Sequence, residues 1–365
     1  MGTPNARMLT SPPLPRQRHE RGGDGRSDRR GIDVGCNTDG NKRDFSVDDD
    51  AMQMFESEIL EDEWTENVTG DLEKMNRDKF GRPFSHTDRA IEWGMMYRTS
   101  SGKSYRRTVG AVNRLLRKSG HPEISLTQFY DRAQSLAESR MSTCDVTDAR
   151  VLAYGAGDVP PEKGMTAAMD STGMSLNRHG GWLQYFWNRE KRNGWVKVHA
   201  IVNTDSNEIL AYVITDESCG DTSCAERLIE TAKGAGNTMS RILGDAAYDK
   251  IELWRAYGAD GYCTNLKTPL LKKYNGGRVR SRGCPKRAAH VRKIRDEGRE
   301  KWKSDIGYGR RWKIECTFSD LKRMFGDVMR SRCKHRVASE MYWMIRCHNL
   351  YKSIRKTVAG RRPAE

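Results

Sequence analysis

The segment "WVKVHAIVNTDSNEILAYVITDES", from Trp195 to Ser218, restricts the fold more than any other. Lys197, His199 and other polar residues alternate with apolar ones, Asp205, Ser206 and Asn207 supply a turn, and "EILAYVIT" leads back. Alternation at period two on both sides of an Asp/Asn turn is the pattern of a β-hairpin. Upstream, "MTAAMDSTGMSL" reads as a strand that ends in an acidic turn, which makes a meander of three strands. Downstream, "SCAERLIETAKGAG" reads as a helix with a glycine stop and "SRILGDAAYD" as an apolar strand ending in a second acidic turn. "IELWRAYGAD" follows as a short helix and "GYCTNL" as a short strand. Strands in a meander, then helix, strand, helix, strand, predict a mixed α/β sheet flanked by helices.

The chain divides around this core. Residues 1–50 are rich in Gly, Pro, Arg and Asp without periodicity, which predicts a disordered basic tail. Residues 51–150 read as a helical region. "SHTDRAIEWGMMYRTS" opens on Ser85 and places Ile91, Met95 and Met96 at helical spacing. "SGKSYRRTVGAVNRLLRKSG" has Ser104 as a cap, Val109, Val112, Leu115 and Leu116 as an apolar stripe, and Gly120 as a stop. "HPEISLTQFYDRAQSL" is a third helix. The arrangement suggests a helix-turn-helix whose polar faces carry Lys103, Arg106, Arg107, Arg114, Arg117 and Lys118. Residues 160–355 hold the sheet, a basic and poorly periodic stretch from Lys267 to Lys303, the helix around "YGRRWKIECTFSDLKR" and a last helix "SEMYWMIRCHNLYKSIRK".

A net charge of +15 favours a polyanionic partner, most simply nucleic acid. Nine cysteines are scattered with no CxxC and no zinc-finger spacing, so free thiols in a reducing compartment are expected. No apolar run approaches the ~20 residues that span a bilayer, and nothing resembles a secretory signal, so a cytoplasmic, nucleoid-associated protein with no membrane is expected.

Two carboxylates end predicted strands, Asp170 in "AAMDSTG" and Asp245 in "ILGDAAYD". The expected topology sets these strands side by side, at the kind of edge where open α/β sheets carry their sites. Singly, each Asp is more often a turn former. Held close, two carboxylates repel unless a cation neutralises them, and all-oxygen ligands suit Mg²⁺ or Mn²⁺. Glu315 is the candidate third ligand. At about 100° per residue, Tyr308, Arg311, Glu315 and Lys322 share one helix face, beside an apolar stripe of Ile314, Phe318 and Leu321. Arg311 and Glu315 alone make an ordinary i,i+4 pair; that pairing does not account for Tyr308 and Lys322 on the same face.

These residues resemble the DDE transposases of prokaryotic insertion sequences, in the "IS four / IS five" supergroup. The supergroup's signature is Tyr, two residues, Arg, three residues, Glu, six residues, Lys, and the chain carries it as Tyr308, Arg311, Glu315 and Lys322. "MDSTG" and "GDAAYD" are similar to its two Asp motifs, with Asp245 rather than Asp249 in the catalytic place. The hairpin and the helices near "GKSYRRTVGAVNRLL" are similar too. The resemblance implies a ribonuclease-H-like core, with Asp170, Asp245 and Glu315 as catalytic ligands of two Mg²⁺ ions that Mn²⁺ replaces. It implies Tyr308, Arg311 and Lys322 on the DNA, helped by Lys103, Arg106 and Arg107. It implies cleavage at terminal inverted repeats, transfer of 3′-hydroxyl ends to target DNA, and a homodimer or larger synaptic complex on double-stranded DNA. The other readings are an inactive or domesticated DNA-binding derivative and a ribonuclease-H-like nuclease without strand transfer. About 70 residues separate Asp245 from Glu315, too few for the large β insertion of some members.

Overall fold

The computed structural model describes residues 50–55, 68–141, 152–155, 163–176, 195–266, 284–331 and 334–361. The tail up to residue 49, and any role for its arginines, lies outside them.

The helical region begins with α1 (Val68–Asn76) and α2 (Asp88–Ser101). Thr87, two residues after the expected Ser85, caps α2 by accepting the Ala90 N–H. α3 (Tyr105–Lys118) starts at its Ser104 cap, buries Val109, Val112, Leu115 and Leu116 as the stripe requires, and ends just before Gly120. α4 (Leu126–Arg140) opens with a capping box of Ser125 and Gln128, each side chain satisfying the other's free backbone N–H. α2 and α3 approach so closely that a Cβ on Gly94 would stand 2.7 Å from Val112 and from the Phe129 ring of α4. Only glycine leaves room there.

One sheet of seven strands follows. β1 (Leu152–Gly155), β2 (Lys163–Leu176), β3 (Trp195–Asn203) and β4 (Ile209–Asp216) pair antiparallel in the order β1-β4-β3-β2. α5 (Ala225–Gly234) leads to β5 (Thr238–Gly244), which lies parallel to β2. α6 (Ile251–Tyr257) leads to β6 (Tyr262–Thr264), parallel to β5. The hairpin reverses at Asp205–Asn207, and Asn207 takes the left-handed backbone that a turn asparagine tolerates (φ 61°). Every residue of β4 is buried, so both of its faces are covered. α5 packs on β4, β1 and β3, and the C-terminal helices pack on β2, β3 and β4.

Three expectations need correction. The stretch from Lys267 to Lys303, poorly periodic in sequence, is helical from Pro285: α7 (Pro285–Glu297) lies within it and α8 (Arg299–Asp305) runs just past its end. Their basic composition masks a modest apolar face of Ala288, Val291, Ile294 and Trp302. β1 and β7 (Val328–Met329) are additions to the expected strands, because strands of four and two residues carry no readable period. The expectation of free thiols holds for Cys219, Cys224, Cys263, Cys284 and Cys347 but not for Cys316, which is disulfide-bonded.

After α9 (Trp312–Phe325), α10 (Lys334–Arg361) joins the two regions. It packs on α2 and α4 and also on α9 and β4. Buried Glu92 of α2 is held by Arg140 of α4 at 2.9 Å and by Arg346 of α10. No described helix is long and apolar enough to cross a membrane.

Candidate active site

Asp170 does not end its strand. β2 runs six residues further, to Leu176. What changes is its neighbour. β5 pairs with β2 only as far as Ala168 opposite Leu243, and β7 takes up parallel pairing at Ser175 opposite Val328. Asp170 therefore sits in the interval between two parallel partners, where β2 is open on that side among the described residues. Asp245 directly follows β5, so the register brings it level with Asp170.

Asp245 and Asp249 have different surroundings. Asp245 caps a short 3-10 turn, Ala246–Tyr248, and its Oδ1 accepts the Ala247 N–H at 2.7 Å. Asp249 is fully buried and takes a two-pronged bond from Arg287, Nε at 2.8 Å and Nη2 at 2.7 Å, with the Trp254 indole donating at 3.1 Å. Asp249 is thus committed to anchoring α6 and α7, and Asp245 is the carboxylate turned toward Asp170.

Glu315 lies in the first turn of α9. α9 docks on β2 and β3 through Ile314, Thr317, Phe318 and Leu321, the expected stripe with Thr317 added. Tyr308 and Arg311 are not on this α-helix: Gly307 turns left-handed (φ 63°), and Tyr308–Arg311 form a separate 3-10 turn. Arg310 anchors that turn by donating to Thr166 Oγ1 at 3.2 Å and to Asp205, while Arg241 donates to the Ile306 carbonyl at 2.5 Å.

Arg311 is the centre of the site. Its Nη1 donates to Asp170 Oδ2 at 3.1 Å and its Nη2 to Glu315 Oε1 at 2.5 Å. One guanidinium thus bridges a sheet carboxylate and a helix carboxylate. The Asp170 carboxyl is held above the usual carboxylate range by burial, partly offset by the Ser171 N–H and Arg311 and reinforced by the charges of Asp245 and Glu315. Asp245 and Glu315 therefore both act on Asp170, and the Arg311 cation lies between Asp170 and Glu315. Carboxylate oxygens are the donors a divalent ion prefers, but with Arg311 between two of the side chains the oxygens of Asp170, Asp245 and Glu315 do not all lie within 4.8 Å of one another.

The Tyr308 hydroxyl donates to the Gly244 carbonyl at 3.0 Å, fixing the backbone beside Asp245. Burial pushes its pKa up to about 12. In this arrangement the hydroxyl is spent on positioning rather than presented to a ligand. Lys322 is half-buried nearly three turns along α9, and its side chain makes no hydrogen bond or ion pair among the described residues. Lys103 lies in the turn before α3, and Arg106 and Arg107 are exposed on that helix, far along the chain from the carboxylates. α3 contains no acidic residue, and Arg114, Arg117 and Lys118 extend its exposed basic face.

Sequence reasoning makes Asp221 a turn former. In the fold it closes the flank of the site: Ser171 Oγ donates to its Oδ1 at 2.5 Å and Lys197 Nζ lies 2.6 Å from the same oxygen. The available signal is the alternation that aims Ser171 and Lys197 off neighbouring strands; their shared partner in the loop is not deducible from spacing.

The balance at Asp170 gives a testable pH dependence. A carboxyl raised in the folded state costs stability once ionised; the cost is absent below the unfolded value, ~3.9, and grows as pH rises through the folded value. In chelator, Asp170→Asn melts higher than the parent at neutral pH, and the two melt alike below pH ~3.9. A variant that melts lower at neutral pH contradicts this reading of the site.

The family profile described as "Transposase DDE domain" matches residues 161–350, from the start of β2 into α10. No curated protein matches the chain, and no solved structure does.

Proposed function

The chain belongs to the transposase DDE domain family, whose profile covers just over half of its 365 residues, and from that premise we propose that it cuts DNA at the ends of an insertion element and joins the freed 3′ ends to target DNA. The observation that supports this reading is Arg311 bonded to both Asp170 and Glu315, with Asp245 and Glu315 acting electrostatically on Asp170. The order β4-β3-β2-β5-β6, with an antiparallel meander followed by two strands parallel to β2, supports a ribonuclease-H-like core. The Tyr308, Arg311, Glu315, Lys322 spacing supports the "IS four / IS five" supergroup.

DDE transposases generally use divalent metal ions. Asp170, Asp245 and Glu315 would hold a pair of Mg²⁺ or Mn²⁺ ions here, and such ions supply Lewis acidity to the phosphate and lower the pKa of an attacking water or hydroxyl. The chain's own residues do the rest. Arg311, between Asp170 and Glu315, is placed to neutralise phosphate charge as it develops. Lys322 extends that positive strip along α9 to about 16 Å from Arg311 at 1.5 Å per residue. Tyr308 keeps the Gly244 carbonyl, and so Asp245, in place. In the first step water adds to phosphorus and the O3′–P bond breaks, leaving a 3′-hydroxyl and a 5′-phosphate. In the second, that hydroxyl displaces an O3′ in the target strand. Work on two ends calls for at least a dimer.

Joining is the test of this reading. Pre-cleaved element ends incubated with the protein, target DNA and Mg²⁺ give end-to-target joints. Cleavage without joints makes the protein a nuclease and overturns the transfer step.

α3 supplies DNA affinity in this account. Every phosphate that is no longer neutralised lowers the slope of log affinity on log salt by ~0.9. The triple change Lys103→Ala, Arg106→Ala and Arg107→Ala therefore reduces it by about 2 to 3. An unchanged slope in a salt titration by fluorescence anisotropy removes this helix from the interface.

A further inference from the structure

We propose that His199, Cys219 and Cys224 form a second metal site, separate from the carboxylates, that binds a thiolate-seeking divalent ion such as Zn²⁺. A ring nitrogen of His199 and the two sulfurs all lie within 4.8 Å of one another. In a tetrahedral zinc site with Zn–S near 2.3 Å, two sulfurs stand about 3.8 Å apart. The three side chains are therefore within small adjustments of ligation before any ion is present.

The histidine is set up for it. His199 is fully buried on β3. Its Nε2 lies 2.9 Å from Thr215 Oγ1, and that hydroxyl donates its proton to the Asp216 carbonyl at 3.1 Å. The hydroxyl oxygen must then accept from Nε2–H, which leaves the lone pair on Nδ1. Nδ1 is buried and has no hydrogen-bond partner among the described residues. A buried nitrogen lone pair without a donor is costly to keep, and a ligating imidazole whose other N–H is held by an oxygen is the usual arrangement around zinc.

The cysteines come from the turn after β4. Cys224 is buried at the start of α5, and Cys219 is half-exposed, giving an entry path. Hydrogen bonding, first of all from Cys224, draws the Cys219 thiol well below its usual range, toward the thiolate a metal requires. Three protein ligands leave a fourth position for water.

The site's place in the fold gives it a consequence. Cys219 and Cys224 bracket Asp221, which holds Ser171, the residue next to Asp170. Lys197 Nζ ties the Cys219 carbonyl to the same loop at 3.1 Å. An ion there fastens the loop that flanks the carboxylates without touching the reacting atoms.

The test uses the full chain, reduced and freed of metal, with one equivalent of Co²⁺ as a spectroscopic probe. A thiolate-to-cobalt charge-transfer band appears, Zn²⁺ abolishes it and excess Mg²⁺ does not. The double variant Asp170→Asn, Glu315→Gln keeps the band, which separates this site from the carboxylates. The double variant Cys219→Ser, Cys224→Ser loses it. Because that variant risks misfolding, thiol alkylation of the unaltered protein is followed as well: Zn²⁺ slows modification of Cys219 roughly tenfold, the scale on which ligand sets tune affinity. No band in the folded protein, a band that survives loss of both cysteines, or alkylation indifferent to Zn²⁺ overturns the proposal.

Discussion

Glu315→Gln is expected to bind element ends as the parent does and to cut neither strand in Mg²⁺. The glutamine keeps the shape of the side chain and its place in the first turn of α9. It removes one of the two carboxylate charges, Asp245 and Glu315, that act on Asp170. Metal ions contribute several kcal/mol of charge stabilisation to phosphoryl transfer, and a loss of about 4 kcal/mol corresponds to roughly a thousandfold in rate. Affinity for DNA rests on phosphate contacts elsewhere. Arg311 also keeps its bond to Asp170 in the variant, so the site does not come apart. Single-turnover cleavage of a labelled end, beside a binding curve, reads both quantities. Cleavage within a few-fold of the parent would remove Glu315 from the chemistry.

Asp249→Ala is expected to fail differently, by unfolding. The Asp249 carboxylate is 0% exposed and the Arg287 guanidinium 4%. Removing one partner leaves a buried charge without compensation, which costs about 3–5 kcal/mol, a large part of the roughly 5–15 kcal/mol that holds a domain. The pair pins the turn after β5 to α7, so its removal also loosens the Trp254 and Tyr262 packing behind Asp245. Thermal melting checks it: Asp249→Ala drops far below the parent, while Asp245→Asn stays near it and loses only cleavage. The contrast separates two aspartates four positions apart in one motif.

The sequence and the structure agree where the controlling interactions are local. The hairpin turn at Asp205–Asn207, the capping serines of α3 and α4, and the stripe of α9 are each written within a few residues. The side-by-side placement of Asp170 and Asp245 follows from the order of strand types alone. Other features depend on distant partners. Asp170 looks like a strand end because "DSTG" resembles a turn, yet β3 pairs with β2 through Ser175 and carries the strand onward. Tyr308 and Arg311 fit a continuous α-helix by spacing, but Tyr308–Arg311 wind as a 3-10 turn ahead of α9. The His199, Cys219 and Cys224 cluster has no motif spacing, since β3 and the loop after β4 bring it together. Arg311 by spacing is half of a surface pair with Glu315; its second partner, Asp170, lies 141 positions away and changes its meaning.

The proposed chemistry requires Asp170, Asp245 and Glu315 to act as one divalent-ion site. Bound Mn²⁺, counted by electron paramagnetic resonance on the full chain with an element end present, tests it most directly. The account predicts that Asp170→Asn, Asp245→Asn and Glu315→Gln each weaken Mn²⁺ binding about 10- to 100-fold, with Asp221→Asn retaining it. Mn²⁺ binding unchanged in all three carboxamide variants would contradict the account.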